Sequence, residues 1–267
     1  MGGAVRYSVI IPVWNAARTL RDCLESVLAQ TCPDWECLCA DDGSDDGSAG
    51  LIDGYAARDG RFRALHLPHR GPGPARNAAL DAARGDYVVF ADADDLLKPD
   101  ALASLSDATA DVVTFLPLDG RRWLRDERLR LFDLCAGNLL AWNAAYRREA
   151  IGAARFPDAP NFEDVVFGCA VFCGGVTVAA APCWYVHRDT PGSLAHRYEW
   201  RRVAGEAKGG LEFLRLARGY IARQDGLRLR LALRLVLARK LLAHAVLHVL
   251  ADAVRAALPG RRGAAAV

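Results

Sequence analysis

The sequence predicts an α/β fold, a mostly parallel sheet with helices on both faces, and three observations carry that prediction. Short apolar runs alternate with stretches of helical periodicity between Tyr7 and Leu116. Two of those runs, Trp35 to Ala40 and Tyr87 to Ala91, have the composition of strands buried on both faces. Each leads straight into crowded carboxylates, Asp41-Asp42-Gly43-Ser44-Asp45-Asp46-Gly47-Ser48 after the first and Asp92-Ala93-Asp94-Asp95 after the second. In an open α/β sheet, ligands bind at the carboxyl ends of the strands. The acids are therefore expected on the binding edge, where a cation would neutralise their mutual repulsion.

Tyr7 to Val13 reads as the first strand, and Ala17 to Gln30, with Leu20, Leu24, Val27 and Leu28 at helical spacing, as an amphipathic helix. Trp35 to Ala40 is the second strand; Ser44 to Arg58 is a helix with Leu51, Ile52 and Tyr55 inward; Phe62 to Leu67 is the third strand. Pro74 to Ala83 starts with proline at the first helical position. Tyr87 to Ala91 is a strand, Asp100 to Asp107 a helix and Asp111 to Leu116 a strand, which completes a βαβα order. Residues 119–150 mix charge with tryptophan and yield no placed element. Asn161 to Cys173 reads as a helix with Phe162, Val165, Val166, Cys169, Ala170 and Cys173 apolar, and with Glu163 and Asp164 in the first turn, where acids complement the helix dipole. Strands are expected at Val176 to Ala180 and Cys183 to His187, followed by a loop at Pro191-Gly192-Ser193.

With 267 residues, about half of them apolar, the chain can bury a sizeable core. The expected division is a catalytic or binding body over residues 1–195, with halves 1–118 and 119–195, and a basic helical segment over 196–267. The net charge of +2 conceals an asymmetry, because residues 201–267 carry 14 Lys and Arg against 4 Asp and Glu. Arg230, Arg234, Lys240, His244 and His248 cluster on one side of a helical wheel in this Leu-, Ala- and Arg-rich segment. Two readings of it stand side by side, a helix lying on an anionic membrane surface and a helical subdomain packed on the body. Its apolar stretches are shorter than the roughly 20 residues of a spanning helix.

Arg6 leads directly into the first strand without a signal-peptide pattern. The expected location is the cytoplasm, with thiols reduced, on the inner face of the membrane if the basic segment binds lipid. The eight cysteines lack zinc spacing, and Cys37 and Cys39, of one parity, are expected to pack as small hydrophobes.

Asp42, Ser44, Asp46, Gly47 and Asp53 imitate a calcium loop, but a strand precedes them and the closing Glu is missing. Turn and helix-cap chemistry accounts for Ser44 to Ser48, though not for Asp41 and Asp42 together at a strand end. In the second cluster, Asp92 and Asp94 alternate, so one acid can meet a metal while the other meets a sugar or ribose hydroxyl. Hard cations such as Mg2+ and Mn2+ suit that role, because they bridge one or two carboxylates to substrate phosphates.

The order of motifs is similar to that of the family 2 glycosyltransferases, the large inverting group with the GT-A fold. The matching residues are Ser8-Val9-Ile10-Ile11-Pro12-Val13-Trp14-Asn15, Ser26-Val27-Leu28-Ala29-Gln30-Thr31, Asp41-Asp42-Gly43-Ser44, Gly71-Pro72-Gly73-Pro74-Ala75-Arg76-Asn77, Gly85-Asp86-Tyr87 and Asp92-Ala93-Asp94-Asp95. The match continues more loosely through Trp142-Asn143, Tyr146-Arg147-Arg148-Glu149 and Phe162-Glu163-Asp164, and so spans residues 5–195.

The resemblance implies a role for each position. Pro12 and Val13 contact the nucleotide, with Asn15 and Ala93 in the same nucleotide-sugar site, Asp42 accepts a hydrogen bond from the base and Arg76 lies near the diphosphate. Asp94 holds Mg2+ or Mn2+ and Asp92 contacts the nucleotide-sugar beside that metal; for His187 two readings stand, an approach to the metal or diphosphate and a satisfied structural histidine. Asp164 is the general base, with Glu163 able to exchange roles with it, and Trp142 with Asn143 forms the acceptor platform. The implied donor is a UDP-sugar and the implied acceptor a lipid-linked glycan, polysaccharide or other surface polymer, with no nucleic-acid partner. One departure is Ala144, where many relatives carry Lys after the Asn, and it bears on acceptor contacts.

Other classes fit less well. A non-catalytic relative would bind nucleotide without metal-dependent turnover. A nucleotidyltransferase would want a glycine-rich basic phosphate loop near the first strand, and Pro12 to Arg18 is not one. A dehydrogenase would want G-x-G-x-x-G there, which is lacking.

Overall fold

The computed structural model describes residues 5–114, 141–158, 163–172, 175–182 and 184–188, together with 215, 218, 219, 221 and 222 of the C-terminal segment. The elements are β1 (Tyr7–Val13), α1 (Leu20–Leu28), β2 (Trp35–Asp41), α2 (Ser48–Arg58), β3 (Phe62–His66), α3 (Pro72–Ala82), β4 (Tyr87–Phe90), β5 (Leu96–Leu97), β6 (Val112–Thr114), β7 (Ala144–Arg147), α4 (Arg148–Ile151), α5 (Glu163–Phe172), β8 (Val178–Ala180) and β9 (Tyr185–Val186). A seven-stranded sheet has the order β3-β2-β1-β4-β7-β6-β8, and β5 pairs with β9 in a separate ribbon. The pairs β3-β2, β2-β1 and β1-β4 are parallel, as is β6-β8, whereas β7 is antiparallel to both β4 and β6. The sheet is thus mostly parallel, as the sequence predicts. The loop at 191–193 and nearly all of the basic segment lie outside the described residues.

Side-chain parity explains why the strands read as continuous apolar runs. Val9, Ile11 and Val13 of β1 face one core with Leu20, Cys23, Leu24 and Val27 of α1 and Ile52 and Tyr55 of α2. Ile10 faces the opposite core with Ala75, Ala79 and Leu80 of α3 and Phe167 and Val171 of α5. A strand covered on both faces has no polar side, so the alternation disappears. Cys37 and Cys39 lie in the first core with their sulfurs 3.8 Å apart, as free thiols.

Several boundaries differ from expectation for local reasons. The predicted helix over Ser44 to Arg58 begins at Ser48, because the residues before it bond the loop after β1. The proline at the first position of α3 is Pro72 instead of Pro74. The helix expected over Asp100 to Asp107 shrinks to a 3₁₀ turn at Ala103–Leu105. There the Leu102 N–H donates to the side chain of Gln30, and Leu105 bonds back three residues to Leu102. The strands expected from Val176 and Cys183 are shorter, at 178–180 and 185–186. Within 119–150, where nothing was placed, a 3₁₀ turn at Ala141–Asn143 leads into β7 and α4.

Candidate active site

The two acid clusters sit side by side at the carboxyl edge, because β1 lies between β2 and β4 and pairs in parallel with each. The first cluster is bound into a web of loops. Asn15, in the left-handed region at φ 49°, accepts the Asp45 N–H on its side-chain oxygen at 2.9 Å and donates its own N–H to the Ser44 hydroxyl at 3.0 Å. Ala16 and Ala17 donate their N–H groups to the Ser48 hydroxyl at 3.0 Å and the Asp46 carboxylate at 2.8 Å. The turn chemistry of Ser44 to Ser48 thus serves the neighbouring loop.

Asp41 and Asp42 have separate surroundings. Asp42 is buried and accepts the N–H groups of Arg70 and Gly71 at 2.8 Å each, one on each carboxylate oxygen. The His69 ring lies 2.8 Å from the same carboxylate and stacks on Trp14 with centroids 4.7 Å apart. The residue expected to bind the base therefore also clamps the loop between β3 and α3. Asp41 accepts the Ser44 N–H at 3.1 Å, and His66 bridges it to Asp53 at 3.3 and 2.9 Å. Hydrogen bonds to Asp53 and Asp41 hold the His66 pKa above its ordinary value. The Val13 side chain is buried and its carbonyl accepts the Asp42 N–H at 2.8 Å; Pro12 is half-buried beside it and Ala93 is buried.

The second cluster meets the expected base through one side chain. Arg76, 5% exposed, donates through Nη2 to Asp92 at 2.9 Å and through Nη1 to Glu163 at 3.3 Å and Asp164 at 3.2 Å. Burial works against this cation, but Asp164, Asp92 and Glu163 together more than offset it and raise its pKa. Three carboxylates against one guanidinium leave a surplus of negative charge. Burial and then the Asp164 charge push Glu163 up to about 7, and burial raises Asp164 against the pull of Arg76. Sequence reasoning expected Arg76 near a diphosphate and missed that it joins the two acidic groups.

The sequence around Arg76 builds this junction. Gly71 adopts φ 101° before Pro72, and Gly73 packs so closely that a Cβ there would lie 2.8 Å from the Pro157 carbonyl oxygen. Asn77 both donates to the Phe156 carbonyl and accepts the Phe156 N–H, each at 2.9 Å. The amide thus fastens α3 to the segment that precedes α5.

Asp94 is half-buried, and burial, then the charges of Asp95 and Asp92, raise its pKa. Asp95 is fully buried and accepts Tyr185 Oη at 2.7 Å, His187 Nδ1 at 3.1 Å and the Arg188 N–H at 2.7 Å. The bond to Asp95 raises the His187 pKa. Trp142 lies tilted by 30° against Tyr185 at 4.9 Å and stacks over His187 at 5.8 Å, while Asn143 is buried with its carbonyl accepting the Thr114 hydroxyl at 2.8 Å. Trp142 is thereby the more accessible residue of the expected acceptor pair. Among the described residues, no three His, Cys, Asp or Glu side chains form a self-sufficient metal site. A carboxylate on Asp94 and an imidazole on His187 still suit a divalent cation that takes its remaining ligands from phosphate and water. Asp92 has one oxygen committed to Arg76.

The sequence profile described as glycosyl transferase family 2 matches residues 8–151, just over half of the chain. The chain belongs to that family. This family 2 chain is 29% identical to EpsH of Bacillus subtilis over 218 residues, which cover 72% of the chain and 63% of EpsH. It spans less than two thirds of the length of EpsH, and the same holds for EpsJ of that organism, at 62%. Its fold is similar to that of S. aureus TarS residues 1–349, with a TM-score of 0.67 at 20% identity over 89% of this chain and 71% of that one. The mannosyltransferase PcManGT from Pyrobaculum calidifontis, solved with GDP-Man and Mn2+, aligns with a TM-score of 0.57 at 23% identity over 94% and 80% of the respective chains. Both likenesses confirm the GT-A architecture of this family 2 chain.

Proposed function

We propose that the chain is an inverting glycosyltransferase that moves a hexosyl or N-acetylhexosaminyl group from a UDP-sugar to a hydroxyl of a glycan, lipid-linked or polymer acceptor. Arg76 carries the reading, because one buried guanidinium bonds Asp92 on the donor edge and the Glu163–Asp164 pair on the acceptor side. Base and donor carboxylates thereby share one site. Related folds point the same way, since TarS was solved with UDP-GlcNAc and PcManGT with GDP-Man and Mn2+.

In this mechanism, Pro12, Val13, Asn15 and Ala93 shape the nucleotide-sugar site, with Val13 and Ala93 contributing main chain because their side chains are buried. Asp42 accepts a base N–H with lone pairs beyond those that clamp the Arg70–Gly71 loop. Asp164 takes the proton of the acceptor hydroxyl as its oxygen attacks the anomeric carbon, the bond to the diphosphate breaks on the opposite face, and configuration inverts. Asp94 and His187, with the second oxygen of Asp92, would hold Mg2+ or Mn2+, a Lewis acid for the departing diphosphate. Trp142 offers an aromatic face to the acceptor.

Released nucleoside diphosphate, measured over a panel of donors with Mn2+ or Mg2+, tests the assignment. Asp164→Asn is expected to lower kcat at least ~100-fold, and Asp94→Ala to abolish the metal response. Near-normal transfer by Asp164→Asn overturns the base assignment, and full metal-dependent turnover by Asp94→Ala overturns the metal assignment.

A further inference from the structure

Beside the acidic edge lies a buried carboxylate, that of Asp95, which the mechanism above does not use. It is 0% exposed, and its three partners are Tyr185 Oη at 2.7 Å, His187 Nδ1 at 3.1 Å and the Arg188 N–H at 2.7 Å. An ionised carboxylate only accepts hydrogen bonds. Tyr185 must then donate to it, which leaves the phenolic oxygen to accept the Asp92 N–H at 3.0 Å. His187 must also carry its proton on Nδ1, so in the neutral ring Nε2 is the nitrogen with the lone pair.

The surroundings hold this geometry from every side. The β5–β9 ribbon sets Leu97 opposite Tyr185 and Leu96 opposite Val186. Lys98 donates its N–H to the Trp184 carbonyl at 2.8 Å. Trp142 lies nearly parallel to the His187 ring, at an interplanar angle of 10°. Arg188 donates to the main-chain oxygen of Asp94 and, at 2.9 Å, to Asp22 of α1. A buried carboxylate is a costly way to pack a two-stranded ribbon, and well-packed apolar residues would do that as well or better. Yet the bonds of this carboxylate lead to Asp92 through Tyr185, and directly to His187.

We propose that Asp95 and Tyr185 are positioning residues, a relay that fixes the main chain at Asp92 and sets His187 in the Nδ1–H tautomer with Nε2 free for a divalent cation held with Asp94. This inference rests on the metal reading of the proposed function, and supplies the carboxylate–histidine support that metal-ligating imidazoles require.

Two measurements on the full chain test it, with Mn2+ alone as the probe. Ring 15N NMR of histidine-labelled, metal-free wild type, in alkaline buffer where imidazole is neutral, is expected to show His187 as the Nδ1–H tautomer. Titration followed by the EPR signal of free Mn2+ is expected to show binding weakened about tenfold or more in Asp95→Asn, with the single tautomer lost. Tyr185→Phe is expected to weaken Mn2+ several-fold with the tautomer retained. An Nε2–H tautomer in wild type, or wild-type Mn2+ affinity in folded Tyr185→Phe and Asp95→Asn, overturns the relay. Wild type that retains no Mn2+, or an Asp94→Ala variant that binds it equally well, overturns the metal reading instead, and the wild-type tautomer then still decides the arrangement around Asp95 whether or not Asp95→Asn folds.

Discussion

Glu163 and Asp164 share one guanidinium with Asp92, and that imbalance has a measurable sign. Burial and the Asp164 charge push Glu163 up to about 7, from an ordinary 4.5. Between those values the folded state binds the proton that the unfolded chain has released, so stability falls as pH rises through this window and levels off above it. We expect the Tm of the wild type to decline from about pH 4.5 to 7, and Glu163→Gln to flatten that slope. An unchanged slope would mean that Glu163 ionises normally. The identity of these acids was legible, because carboxylates crowded at the end of an apolar run or in the first turn of a helix leave a local signature. Their partners were not legible. Arg76 lies 87 residues before Glu163, and the clamp of Asp42 on Arg70 and Gly71 crosses 28 and 29 residues, distances at which a single sequence carries no pairing signal.

Among the elements, α3 joins the two halves of the site, and its sequence shows how. Gly73 permits contact with Pro157, where an added Cβ would meet backbone oxygen at 2.8 Å, whereas a Cβ at Gly50 of α2 would meet nothing within 4 Å. Gly73→Ala is therefore expected to cost about 1–3 kcal/mol. Gly50→Ala should gain about 0.4–1 kcal/mol in the same denaturation experiment. Equal effects at the two positions would contradict the close approach. The first βαβα units were readable because α1 buries Leu20, Cys23, Leu24 and Val27 at helical spacing and β1, β2 and β4 are continuous apolar runs; β5 and β7, of two and four residues, carry no such signal and are defined by distant partners. The start of α2 was misplaced for a related reason. Ser44 to Ser48 has helix-cap composition, but its acceptors are taken by the N–H groups of residues 15–17.

On the scale of the whole molecule, the chain runs outward from β1 to β3 and then returns to lay β4 on the other side of β1, which opens the binding edge where the strand order reverses. Alternation of strands and helices made that much of the layout legible. The antiparallel join of β7 to β4 was not, because strand direction follows from pairing. The basic charge of residues 201–267 belongs to this scale as well. Of the two readings of that segment, a membrane-surface helix and a subdomain packed on the body, the first predicts that vesicles containing anionic lipid pellet the full chain and leave a chain ending near residue 200 in the supernatant at moderate salt; equal pelleting of both removes it.

The position of β4 has one more consequence. Its parallel edge on β1 sets the register of the acids that follow it, and its antiparallel edge on β7 sets the register of Trp142 and Asn143 just before that strand. A change in the β4–β7 pairing therefore moves Trp142 and Asn143 against the acids and leaves the β1–β4 register untouched. In the function proposed above, acceptor preference can then drift through that one pairing, while a change of donor requires substitutions within the acid clusters themselves.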